Sequence, residues 1–305
     1  MTKTEQFIPS SDGVHSLHTI VFLPEGEARG MVQIVHGMAE YAARYEPFMQ
    51  LLAENGYIAF AHDHLGHGQS VKSEDELGFI APKDGWKILI EDVDRVAKAM
   101  EAAHPGKKRI LFGHSMGSFI VRLYCAQHGG ELAGLIVMGT GGKNAAAGAG
   151  IAVAKLIGAV CGKRHVSALV NSLAFGAYND RTEKRTALDW LSVDTENVDR
   201  YIADPLCGFP FTVSAMADLV TMNKNSNEDA AFAVPASLPI FLVAGAEDPV
   251  GAYGAGPEEV AGRYRAAGVS DVSCKLYPGA RHELLNEFCS AEAKADLLSW
   301  LNERY

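Results

Sequence analysis

The chain has 305 residues, 48% of them apolar, and a formal net charge of −10 from 37 acidic and 27 basic side chains. That length holds one large domain, or a domain carrying an insertion, and can bury a sizeable core. The acidic balance, with no run of Lys or Arg, argues against a nucleic-acid surface and against tight electrostatic binding to anionic lipid.

The first clear element is "HSLHTIVFLP" (residues 15–24), whose apolar–polar alternation predicts an antiparallel strand. "MVQIVHG" follows, a continuous apolar run of the kind a buried parallel strand needs. A helix is expected over 44–55, ended by Gly56. "YIAFAHD" is the next strand, and a turn-rich loop leads to a helix over 85–104 with apolar Ile88, Val93, Val96, Ala97 and Met100 on one face. "RILFGHS" is a strand, "SFIVRLYCAQH" a helix and "LAGLIVMGT" another strand. Strands alternating with helices at this spacing predict a parallel α/β sheet.

The rhythm stops at residue 142 and resumes near 235. "LPIFLVAG", a helix over 257–267, the strand "DVSCKLYPG" and a last helix over 286–302 complete the pattern. The expected organisation is a core in two pieces, 1–141 and 235–305, with 142–234 inserted as a helical lid. Residues 144–162 are mostly uncharged but built largely of Ala and Gly and broken by Lys155, so they read as an apolar helix or helix pair and not a membrane span. The five cysteines are odd in number and never paired as C-x-x-C, which argues against a disulfide framework or a zinc knuckle. "MTKTEQFIPSSDG" lacks the apolar stretch of a secretory signal, and the expected location is the cytoplasm, with peripheral contact at membranes open.

Gly113-His114-Ser115-Met116-Gly117 matches G-x-S-x-G. Three fixed letters are a weak signal, but here a buried strand precedes them and a helix follows. That places Ser115 on the strained strand-to-helix turn the pattern requires, at the carboxyl end of a parallel strand where ligands bind. A helix N-terminus also brings backbone N–H groups to the serine oxygen. A serine hydroxyl needs a base. On such a sheet the acid and the histidine follow in that order, each past a strand end. Asp248, in "FLVAGAEDPVG", is the acid, with Glu247 its competitor. His282, in "LYPGARHELLNE", is the base, and no other histidine follows Asp248. The oxyanion donors are expected to be the N–H groups of Met116 and of Met38, in the loop "HGMAEY". His36, in the same loop, reads as a residue that shapes it. His114 has no catalytic task by this reading.

"VHGMAEYAARY", "AHDHLGHGQS", "GHSMG", "DPV" and "GARHELLNE" resemble the α/β-hydrolase superfamily, close to the monoacylglycerol lipase and lysophospholipase group, over nearly the whole chain outside the insertion. Within the insertion only "DPLCGFPFT" (204–212) is similar to cap segments of bacterial members. The resemblance implies an α/β-hydrolase fold: a mostly parallel sheet flanked by helices, with a helical cap inserted after the sixth strand. It implies Ser115, Asp248 and His282 as a triad, Met38 and Met116 as oxyanion donors, an acyl-ester substrate such as a monoacylglycerol or a lysophospholipid, and neither cofactor nor metal. It also implies that the loop after "YIAFAHD" is a structural turn in which Asp63 bonds backbone N–H groups.

Other readings are weaker. His62, His64 and His67 superficially match the H-x-H-x-D-H metal signature, but Leu65 and Gly66 precede His67, so the metal-binding Asp is missing. Epoxide hydrolases and dehalogenases need Asp where Ser115 stands. "GTGGKN" lacks the first Gly and the Ser/Thr of a phosphate loop and reads as the hinge into the cap. A short-chain esterase or thioesterase remains open. So does a proline-iminopeptidase-like enzyme, which needs cap acids (Glu183, Asp189, Asp194 and Glu196 are available) to anchor a free amine. A non-enzymatic ligand receptor is the remote alternative. The apolar starts of the cap and "LVNSLAFGAY" read equally well as the lining of an acyl tunnel or as packing, and Cys207 as a buried structural thiol. Chain-length preference and oligomeric state are not legible.

Overall fold

In the computed structural model, which describes residues 1–304, eight strands form one sheet in the order β1-β2-β4-β3-β5-β6-β7-β8. β1 (Thr2–Pro9) and β2 (Ser16–Leu23) are antiparallel to each other, and β2 is antiparallel to β4 (Tyr57–His62). β3 (Gly30–Val35), β4, β5 (Arg109–His114), β6 (Leu132–Met138), β7 (Ile240–Gly245) and β8 (Val272–Tyr277) are parallel. Every residue of β3, β4, β5 and β7 is buried, because helices cover both faces. One face packs on α2 (Gly85–Ala103), α3 (Met116–His128) and α8 (Ala255–Ala266), through a core that includes Leu111, Val121, Leu242 and Val260. The other face packs on α1 (Glu46–Glu54) and α9 (Ser290–Asn302), through Phe48, Phe112, Leu297 and Trp300. This is the α/β-hydrolase fold.

The strand β1 is absent from the sequence-based expectation. "TKTEQFIP" is polar because it is the edge strand, exposed at all but one position, so no buried face imposes a pattern on it. Its presence makes β6 the sixth strand. Between β6 and β7 the chain is helical: α4 (Ala147–Val160), α5 (Ala168–Phe175), α6 (Thr195–Ala203) and α7 (Val213–Ser226). At 14 residues α4 is short of a bilayer's thickness, and no helix among the described residues is long and apolar enough to cross a membrane. The helix expected over 286–302 is shorter, because residues 284–286 form a separate 3-10 turn and α9 begins at Ser290.

Candidate active site

Strand β5 runs straight into Ser115, which has φ 54° and ψ −119° and is followed at once by α3. A non-glycine residue in that region costs on the order of 1–3 kcal/mol and persists only where its surroundings enforce it. Here the Ser115 N–H donates to the Met138 carbonyl of β6 at 3.0 Å, and the two flanking glycines permit the close approach. A Cβ on Gly117 would collide with the Val35 carbonyl, and one on Gly113 would lie 2.5 Å from the Gly117 oxygen. The turn therefore aims the Ser115 side chain out of the sheet, half-buried, on the wall of a cavity of about 1220 Å³.

The loops after β7 and β8 supply the other two groups. His282 Nδ1 lies 2.8 Å from Asp248 Oδ2, and both side chains are buried. The second carboxylate oxygen of Asp248 accepts the Val250 N–H at 2.9 Å, which fixes its plane. Glu247, the alternative acid, is exposed. With its Nδ1 proton donated to the carboxylate, His282 presents a lone pair at Nε2. That atom is buried and has no partner among the described residues, and His282 lines the same cavity as Ser115. Burial opposes charge on the ring, yet the Asp248 carboxylate outweighs it, and the His282 pKa stands above its ordinary value. The Trp190 ring lies 5.2 Å from the imidazole, and Gly139 leaves room for it: a Cβ there would be 3.0 Å from Cε1.

Met38 and Met116 also line the cavity beside Ser115. Neither backbone N–H has a protein acceptor among the described residues. The Met38 loop is held by its neighbours. The Gly37 N–H donates to Glu40 Oε1 at 2.6 Å, and the Ala39 N–H donates to His67 Nε2 at 3.2 Å. Gly37 presses on the Ser115 turn, where a Cβ would be 3.1 Å from the Ser115 Cβ.

Glu40 heads a buried network that sequence reasoning missed. Its carboxylate also accepts Tyr45 Oη at 2.8 Å and Arg44 Nη1 at 2.7 Å, and lies 3.2 Å from His114 Nδ1. Burial would raise the Glu40 pKa, but His114 and Arg44 outweigh it and hold it far below the usual range. Arg44 forks onto both oxygens of Glu283 at 2.6 and 2.8 Å, and Asn197 Nδ2 donates to the same carboxylate at 2.7 Å. His114 Nε2 reaches the His282 carbonyl at 3.3 Å. His114, without a task on sequence grounds, thus joins the loop beside Ser115 to the loop that carries His282. The available signal was adjacency: Glu40, His114 and Glu283 each stand next to, or within two residues of, a motif residue.

The His36, His62, His64 and His67 rings cluster below this loop, with centroids 4.1 Å apart for His36–His64 and 4.9 Å for His62–His64. Their bonds run mainly to backbone. His36 Nε2 accepts the His64 N–H at 3.0 Å while its Nδ1 bonds the Gly37 carbonyl, and His67 Nδ1 bonds the Leu65 carbonyl. Asp63 accepts the Ala42 and Gln69 N–H groups, each at 2.8 Å. This is the structural turn that the resemblance implied.

Residues 26–288 match the family described as serine aminopeptidase, S33. The chain is 30% identical over 306 residues to the monoacylglycerol lipase of Mycolicibacterium smegmatis, covering 98% of this chain and 97% of that one. It is 31% identical over 143 residues to the human monoglyceride lipase, 45% of each chain. Among solved structures, a thermostable carboxyl esterase from Bacillus coagulans in complex with glycerol superposes with a TM-score of 0.93 at 31% identity, covering 100% of this chain and 99% of that one. A soluble variant of the Saccharomyces cerevisiae monoglyceride lipase, bound to a substrate analog, shares the fold with a TM-score of 0.79 at 19% identity, covering 100% and 96%. The chain belongs to this S33 family of α/β-hydrolases, resembles its monoacylglycerol lipase group, and is a carboxylic ester hydrolase.

Proposed function

We propose that the chain is a serine hydrolase of lipid-like esters, a monoacylglycerol or a lysophospholipid, acting through an acyl-enzyme. The observation that carries this reading is the meeting of Ser115 and the Asp248–His282 pair on the wall of one large, mainly apolar cavity. His282 Nε2 takes the Ser115 proton as the hydroxyl oxygen attacks the ester carbonyl. The Met38 and Met116 N–H groups receive the oxyanion. The C–O bond to the alcohol breaks as His282 returns the proton to the leaving oxygen. Water, deprotonated by His282, then attacks the acyl carbon; the bond to Ser115 Oγ breaks, His282 returns the proton to that oxygen, and the acid is released.

Residues 142–234 act as the cap in this reading, and the lid helices set the substrate. The small residues of α4, Ala147, Gly150 and Ala154, together with Leu173 and Phe175 of α5, line the cavity and leave it wider than the roughly 300–1,000 Å³ common for ligand sites. An acyl chain fits that lining. Outward, Leu156, Val160 and Leu169 are more than half exposed, so α4 and α5 offer an apolar face to a lipid surface while the rest of the chain stays in the cytoplasm. The peptidase alternative finds less support. Glu183 pairs with Arg281, Asp189 accepts from Thr186, Asp194 caps α6, and neither these three nor Glu196 lines the cavity. The deciding experiment is a hydrolysis profile over monoacylglycerols, lysophospholipids, p-nitrophenyl esters of graded length and aminoacyl-amides, with fluorophosphonate labelling of wild type and Ser115→Ala. Absence of Ser115-dependent labelling and turnover overturns the enzyme mechanism. A preference for acetate esters over all long chains overturns the lipid assignment.

A further inference from the structure

Arg122 lies on α3, two turns after the nucleophile, and is fully buried. A guanidinium in such a place normally faces a carboxylate, because an unpaired buried charge is costly. This one bonds four neutral oxygens instead. Nη1 donates to Thr140 Oγ1 at 3.2 Å and to the Gly141 carbonyl at 3.3 Å. Nη2 donates to the Ser226 carbonyl at 2.5 Å and to Asn227 Oδ1 at 3.0 Å. The first pair of acceptors lies where the chain leaves β6 for the helical insertion. The second pair lies where it comes off α7, the insertion's last helix.

Asn227 ties the same two points to each other. Its Nδ2 reaches the Gly141 carbonyl at 3.3 Å, the Gly142 carbonyl at 3.1 Å and the Asn223 carbonyl at 2.9 Å. From α8, Arg263 Nη1 holds the Asn227 carbonyl at 2.7 Å. The two guanidiniums flank the Phe232 ring, 5.5 and 4.0 Å from its centroid. Gly141 and Gly142 are themselves part of the cavity wall, although Arg122 and Asn227 are not.

We infer that Arg122 is a positioning residue: with Asn227 it latches both ends of the insertion to the nucleophile helix, so the cavity wall at Gly141–Gly142 keeps its place relative to Ser115 and the insertion does not swing as one body. Opening of the cavity is then left to α4 and α5. The fork geometry matters more than the charge, since one planar group must reach two chain segments at once.

The inference rests on the hydrolase reading for its kinetic consequence but not for its structural one, and the full-length protein tests the two separately. Arg122→Met and the milder Asn227→Ala are compared with wild type in amide hydrogen exchange and in kcat and KM for p-nitrophenyl acetate and decanoate. Loss of charged or shared hydrogen bonds of this kind is expected to speed exchange around residues 139–142 and 226–232 by about tenfold or more. KM for the decanoate should rise by about tenfold, while kcat for the acetate and the fluorophosphonate labelling rate stay within about twofold. Unchanged exchange in both variants overturns the latch. So does an equal loss on both esters, or no loss on either. Failure of wild type itself to be labelled overturns the hydrolase reading and leaves the exchange result to judge the latch. If Arg122→Met does not fold, Asn227→Ala decides.

Discussion

The two halves of the helical insertion differ sharply in how they are held. The half containing α4 and α5 touches the sheet core through few polar bonds. Arg164 reaches the Asp75 carbonyl at 3.2 Å, whereas the Val213 and Ser214 N–H groups, which donate to the His165 and Lys163 carbonyls, belong to α7 and stay within the insertion. Its outer surface is apolar, with Val160 79% and Leu156 67% exposed. The half from Asp189 to Thr212 is bonded to the site itself. The Leu191 carbonyl accepts the N–H groups of both His282 and Glu283, at 3.0 and 2.9 Å. Arg281 spans the Asp189 and Ser192 carbonyls, Asn197 holds Glu283, and the Ala39 carbonyl accepts both Tyr201 Oη at 2.7 Å and the Gly208 N–H at 2.9 Å. One half covers the cavity; the other braces the His282 and Met38 loops. Local stability follows the density of such contacts, so the covering half is the part expected to move.

The largest effects lie at the groups both halves serve. Ser115→Ala and His282→Ala should each lower kcat at least about a thousandfold with folding intact, because triad members act as a unit. Residual hydrolysis within tenfold of wild type would sink the assignment of either residue. Asp248→Asn should cost about as much and also move the pH profile. The base must be neutral, so wild-type activity falls as pH drops through a His282 pKa that Asp248 holds above about 6.5. Removing the carboxylate leaves burial, which lowers that pKa, so the acid limb of the residual activity should shift to lower pH. A limb that stays in place shows that another group titrates.

The next pair of substitutions breaks the comparison directly. Tyr201→Phe removes a bracing bond to the Ala39 carbonyl beside Met38. It should lower kcat by about three- to tenfold on short and long esters alike, as one lost buried hydrogen bond does. Leu156→Asp with Leu169→Asp, both exposed on the covering half and outside the cavity lining, should leave a soluble short ester unaffected while lowering turnover of monoacylglycerol in micelles and liposome flotation. If both variants act equally on both substrates, the division of labour is wrong.

The proposed triad positions stand out in the sequence because each lies at or just past the end of a buried strand, where the chain's apolar run stops and a turn begins. Ser115, Asp248 and His282 announce themselves by place as much as by type. The bracing network was not readable. Glu40 and Arg44 come from one loop, His114 from β5, Asn197 from α6 and Glu283 from the loop after β8, and only the fold brings them together. Within 142–234 no strand rhythm exists, and α4 and α5 carry only Lys155, Asn171 and Ser172 as polar side chains, so sequence could not separate the face that lines a cavity from the face that meets solvent. The helix ends predicted at 44 and 286 fell short for a local reason, since a 3-10 turn precedes each helix and carries the same apolar pattern.

The smallest expected effect concerns the histidine cluster on the braced side. His62 and His67 are buried and neutral, and burial pushes each pKa down to about 3. An unfolded histidine binds its proton near pH 6.5. Between those limits the unfolded chain holds more protons than the folded one, so folding stability must fall as pH drops from about 6.5 toward 3. Each such ring contributes a slope of about 1.4 kcal/mol per pH unit. His67 is tied to the Met38 loop, because its neutral Nε2 accepts the Ala39 N–H, but neither ring nitrogen of His62 has a partner among the described residues. His62→Leu therefore removes one titrating group without breaking a hydrogen bond. Urea unfolding at pH 8, 6, 5 and 4 should give a variant close to wild type at pH 8 and a pH dependence shallower by about one proton at the acid end. An unchanged slope would mean that His62 is protonated in the folded chain, and the neutral packing of the turn beneath the Met38 loop would have to be abandoned with it.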